Sequence, residues 1–158
     1  IKGTITSGTA VASTSGTSID FTGIPSWVKR ITVMFQATSL SGSSHILVQI
    51  GAGSVSSSGY ASTGNAFTNA STTGGLSSSS GFVIAMGLST LAFTGHLVIT
   101  TAGSNLWISS HSGLNATTTA NAGGGYINLG GTLDRVRITT VNGTDTFDQG
   151  TINILYEG

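Results

Sequence analysis

The stretch from Thr132 to Glu157, TLDRVRITTVNGTDTFDQGTINILYE, constrains the fold more than any other part of the chain. It holds two runs of alternating apolar and polar residues around a polar turn, and side chains on a strand point to opposite faces in turn. Val136 and Ile138 share one face of the first run, with Arg135, Arg137 and Thr139 on the other. In the second run Ile152, Ile154 and Tyr156 lie opposite Asn153 and Glu157. Asn142-Gly143 and Gly150 supply residues that tolerate positive φ in turns and bulges. The stretch predicts a β-hairpin that closes a sheet at the end of the chain.

The same period of two recurs upstream. Ile1 to Thr6 and Ser18 to Phe21 read as short β pieces separated by Gly8, Gly16 and a string of Ser and Thr. Pro25, the chain's one proline, ends strand pairing before a long strand from Val28 to Gln36, in which Ile31, Val33 and Phe35 face one way. His45 to Ile50 reads as its return strand. Further strands are expected over Phe82–Met86, Leu91–Phe93, His96–Thr101, Leu106–Ser110 and Tyr126–Leu129. Two polar excursions, Gly51 to Gly81 and His111 to Gly125, read as surface loops because they carry few bulky anchors. About nine or ten strands and no significant helix point to an all-β antiparallel β-sandwich of jelly-roll or related type, a single domain over residues 1–158.

Composition matters where it excludes function classes. Only 6% of the side chains are charged, against about 25% in ordinary globular proteins, so the surface must be hydroxyl, amide and glycine. The runs ITVMF, ILVQI, FVIAM, HLVIT and INILY carry too much β-branched and aromatic weight for a disordered Ser/Gly chain. Five basic residues balance five acidic ones, which leaves no field to draw a nucleic-acid backbone or an anionic membrane. No apolar run reaches the roughly 20 residues that span a bilayer. With no cysteine there is no disulfide, no thiolate chemistry and no Cys-ligated zinc.

No catalytic constellation emerges. The acids are Asp20, Asp134, Asp145, Asp148 and Glu157, and only Asp145 and Asp148 lie close together, in a turn. Turn formation, a Ca²⁺ site with Asn142, and catalysis are the three readings of that pair, of which the first needs least. His45, His96 and His111 are far apart and share no metal spacing, so no metal or cofactor is expected. Aromatic residues beside the polar excursions are better candidates for binding, since sugars stack their C–H faces on Trp or Tyr while amides take the hydroxyls. The candidate ligand-binding residues are Tyr60, Trp107, His111, Asn115 and Tyr126. Trp107 opposes Leu106 and Ile108, so it faces either solvent or a packed interface.

Three segments carry a family resemblance. They are Gly23-Ile24-Pro25-Ser26-Trp27-Val28-Lys29-Arg30 running on to Phe35, Ile46 to Gly51 with Ser58-Gly59-Tyr60, and Leu133 to Thr139 with Asp145 to Glu157. In this Pro-Trp, Lys-Arg and Phe-Asp-x-Gly order the chain resembles C-terminal domains of tailed-bacteriophage tail-fibre and related virion proteins. The resemblance covers both ends well and the middle poorly. It implies a non-enzymatic module on the virion surface, the C-terminal part of a longer fibre protein, extracellular after release from the host. It implies a homotrimeric tip that recognises a bacterial surface glycan or envelope component beside other virion proteins. The alternative is a structural capsid-decoration or fibre-attachment domain without a receptor. The family supplies no catalytic residue to carry over.

Overall fold

The computed structural model describes residues 3–69 and 71–158, with only the backbone of Thr72 and Thr73. Ile1 and Lys2, the start of the first expected β piece, lie outside the described residues. The large sheet takes β1 (Ile5–Ser7), β2 (Val11–Ala12), β4 (Arg30–Leu40), β7 (Ala61–Phe67), β8 (Thr72–Ser78), β10 (Ala92–Gly103), β11 (Leu106–Asn115), β12 (Thr119–Asn128) and β14 (Phe147–Glu157). The small sheet takes β3 (Ser18–Thr22), β5 (Ile46–Ala52), β6 (Ser54–Val55), β9 (Phe82–Ile84) and β13 (Arg135–Thr140). Every pairing is antiparallel, and no described residue is helical. The order across the large sheet is β1-β14-β4-β10-β11-β12-β7-β8, with β2 also on β14; across the small one it is β3-β13-β5-β6, with β9 also on β5.

The architecture is the expected all-β sandwich, with one correction to the closing hairpin. Its two strands do not pair with each other. β13 sits between β3 and β5 in the small sheet, whereas β14 lies beside β4 in the large one, so the turn at 141–146 crosses between layers. The apolar faces meet across the core, where Val136 and Ile138 pack with Ile152 and Ile154, Ile31, Val33, Phe35, Leu97 and Ile99. Burying a side chain of this size contributes about 1.5–3 kcal/mol, which explains why the two layers stay together with so few charges.

A second correction concerns strand number. Among the described residues there are fourteen rather than nine or ten, and both polar excursions are largely pleated. β6, β7 and β8 occupy most of 51–81, and β11 and β12 run through 111–125 with an unbroken register from Leu106↔Asn128 to Asn115↔Thr119. Glycine is what lets these strands lie close. A Cβ on Gly123 would collide with Thr63 O of the neighbouring strand, and one on Gly64 would come 2.5 Å from Val83 O of the opposite sheet.

Candidate functional site

The five aromatic and polar candidates do not converge. Tyr60 is interior: its hydroxyl accepts from Ile50 N–H at 2.8 Å and lies 3.1 Å from Ile50 O and Ser56 O, and its ring meets Phe82 edge-on. Burial pushes its phenol up to about 12, partly offset by the Ile50 hydrogen bond. His111 and Asn115 are also interior, on the core-facing side of β11. These three are buried away from solvent, His111 and Asn115 because the stretch read as a loop is a strand whose alternation turns them inward, and Tyr60, just before β7, because its hydroxyl is tied to Ile50 and Ser56. Tyr126 is 54% exposed on the outer face of the large sheet, directly opposite Ile108 in register. Trp107 points the other way and is 5% exposed.

Trp107 nevertheless walls a cleft. At one end of the sandwich a hollow of about 360 Å³ is bounded by Ser26, Val28 and Lys29, by Thr101 and Gly103 at the end of β10 with Ser104 and Asn105 of the turn into β11, by Trp107, and by Thr132 and Leu133. Each wall has a local cause. Ser104 and Asn105 both have positive φ, at 50° and 62°, which is what a two-residue type I′ hairpin turn requires. The turn is pinned from outside by Leu129 N–H donating to Asn105 O at 2.9 Å. After Pro25 the chain bends through Val28 N–H to Pro25 O at 3.1 Å. Lys29 is then held at both backbone groups, by Glu157 O at 2.8 Å and Thr101 N–H at 3.0 Å.

The chemistry of the cleft is that of binding. Its indole wall is apolar, and the Trp107 Nε1–H, itself buried, has no acceptor among the described residues. Among the described lysines and arginines, Arg30, Arg135 and Arg137 pair with Glu157, Asp134 and Asp20, and Lys29 has no such carboxylate. Ser104, Asn105 and Thr132 add hydroxyl and amide groups at the rim. No carboxylate or imidazole lines it, so it has no general acid–base pair. Lys29, Asn105 and Thr132 were not among the binding residues expected from the sequence. The one available signal was an unmatched cation beside the Pro-Trp turn, and it needs the ion-pair map to be seen.

The remaining acids are occupied. Asp20 is held below the usual carboxylate range by the hydrogen-bonded Arg137 guanidinium, against the opposing effect of burial, and Asp134 is lowered by Arg135. Asp145 Oδ2 accepts from Ser44 N–H at 2.9 Å, Asn142 Oδ1 accepts from the Thr144 and Asp145 amides, and Asp148 accepts from the Ser39 hydroxyl. These are turn-forming contacts. Among the described residues no group of three or more His, Cys, Asp or Glu is placed to hold a metal ion, and no helix is long and apolar enough to cross a membrane. No protein-family model, curated protein or solved structure matches the chain.

Proposed function

We propose that the protein is a non-enzymatic recognition module of a bacteriophage virion, a homotrimeric tail-fibre tip that binds a bacterial surface glycan or envelope component through the end cleft. The observation that carries the reading is the cleft itself. An indole wall, an unmatched ammonium and a rim of hydroxyl and amide groups gather in one concave site without a carboxylate. This combination suits a hydroxyl-rich ligand with acceptor oxygens, since apolar walls with a few placed donors are how small polar ligands are held. The resemblance of both chain ends to tail-fibre domains supplies the biological setting.

Screening the purified chain against bacterial-envelope glycans tests the proposal. Binding is expected, with a loss of at least tenfold in Lys29→Gln/Asn105→Gly and a nearly unchanged thermal midpoint, because Lys29 is exposed and glycine keeps the positive φ of the turn. No binding to any envelope glycan would overturn it. The burial of Tyr60, His111 and Asn115 favours a second reading, a structural decoration or fibre-attachment module. Electron microscopy of labelled particles separates the two, since a receptor-binding tip lies at the distal end of a fibre and a decoration module on the capsid.

A further inference from the structure

From Ile31 to Leu133 the chain contains no Lys, Arg, Asp or Glu. Its imidazoles are His45, His96 and His111. His96 is exposed on β10. The other two converge on one piece of backbone.

That piece is β9 and its continuation. One edge of β9 pairs with β5, from Ile46↔Ile84 to Val48↔Phe82. The other edge faces β7 and β12 of the large sheet, where side chains take the place of a ladder. Val83 N–H donates to Ser62 Oγ at 3.0 Å. Ala85 O accepts from Asn115 Nδ2 at 2.7 Å and from Asn121 Nδ2. Met86 N–H donates to His45 Nδ1 at 2.9 Å, and Gly87 N–H reaches Ser44 O at 3.3 Å. Asn121 Oδ1 in turn takes the His111 Nε2–H at 3.0 Å, because an amide oxygen can only accept. Beyond Ile84 the segment has no strand partner, Gly87 sits at φ +88°, and Leu88 is exposed.

His45 holds this arrangement only while neutral. A proton on Nδ1 turns the acceptor for Met86 N–H into a second donor. Burial holds both histidines below their ordinary value of 6.5, with the Asn121 hydrogen bond pulling His111 back the other way. A group whose folded value is depressed in this way favours the fold fully above 6.5 and loses that contribution as pH falls below it. Few other ionisable groups lie nearby. Asp145 reaches across from the 141–146 turn to Ser44 N–H beside His45, β5, β7, β8 and β9 contribute none, and Tyr126 on β12 is exposed. Around His111 stand Phe93, Asn121 and Gly123.

We propose that Met86–Leu91 is an acid-released strap, hinged at Ala85, whose carbonyl stays with Asn115 and Asn121. Protonation of His45 breaks its hold on Met86 N–H, and the segment leaves its seat while the two sheets remain folded. The cleft of about 390 Å³ that it shares with His45, Ala66 and Thr119, walled by Met86, Leu88 and Leu91, then opens.

Amide hydrogen exchange of the full chain at pH 7.5 and pH 5.0, corrected for intrinsic rates, tests this. Protection of the Met86 and Gly87 amides is expected to fall at least tenfold at the lower pH, while amides in the central β4–β10 ladder keep theirs. The loss should follow the titration of the His45 ring measured from its own C–H resonances. His45→Gln, which keeps an acceptor but cannot titrate, should abolish the pH dependence. If that variant does not fold, the match between amide loss and ring titration in the parent chain decides. Unchanged Met86 protection, or a parallel loss across all core amides, would overturn the proposal.

Discussion

The Tyr60 hydroxyl serves three backbone groups at once, Ile50 N–H, Ile50 O and Ser56 O, and so closes the bend that carries β5 into β6. Tyr60→Phe keeps the ring against Phe82 but leaves the Ile50 N–H without that acceptor in the interior, and an orphaned buried donor costs about 1–3 kcal/mol. Urea denaturation should show a loss in this range with an unchanged slope. A change below about 0.5 kcal/mol, the size of an ordinary surface substitution, would mean that the bend re-forms its hydrogen bonds without the phenol. Tyr60 also shows why side-chain roles were hard to read from sequence. Its neighbours are Ser, Gly, Ala and Thr, which look like a wet loop, and the partner that fixes it lies ten residues back on β5.

Strands differ in how openly they declare themselves. β4, β13 and β14 were legible because β-branched residues alternate along them, with burial following the alternation. β11 inverts the rule. Its inner face is Trp107, Ser109, His111, Gly113 and Asn115, while Leu106, Ile108 and Leu114 face outward, so hydrophobicity alone points the strand the wrong way. The inversion is stable because His111 and Asn115, with Asn121 of β12, join one hydrogen-bonded cluster around Ala85 O. β7 and the part of β12 before Tyr126 were illegible for a related reason. Their glycines mark close approach of backbone, which looks like a loop in sequence. Gly64→Ala tests this directly, since the added Cβ would meet Val83 O at 2.5 Å and force β7 away from β9. The expected cost is about 1–3 kcal/mol, as for other overpacked interiors, and Gly130→Ala, where a Cβ meets nothing within 4 Å, should stay within about 0.5 kcal/mol. Equal midpoints for the two variants in thermal denaturation would show that the sheets have slack at this point.

Over the whole molecule, charge gathers at the two ends of the chain, and the middle presents neutral surface. The outer face of the large sheet carries Ile108 opposite Tyr126, with Leu114 further along β11 and Ile5 on the edge strand. The ion pair Arg30–Glu157 sits in the same transverse row, through Glu157↔Arg30, Arg30↔Thr100 and Thr100↔Ile108. A sheet face this poor in charge gains little from solvation and offers apolar contact to a like face, which is how symmetric copies associate. The proposed trimer therefore has a candidate contact in the Ile108–Tyr126 row. Light scattering at micromolar concentration should give three chains per particle, and Ile108→Lys/Tyr126→Glu, an opposite-charge cross-strand pair, should shift the mass toward one chain with an unchanged β-sheet circular-dichroism spectrum. A lysine or glutamate at an exposed site costs the monomer little, yet in an interface it places a charge where water is excluded, a penalty of several kcal/mol per ion. A monomeric parent chain would remove the trimer. A trimer that survives the double substitution would move its contact to another face, with the end cleft still to be judged by glycan binding.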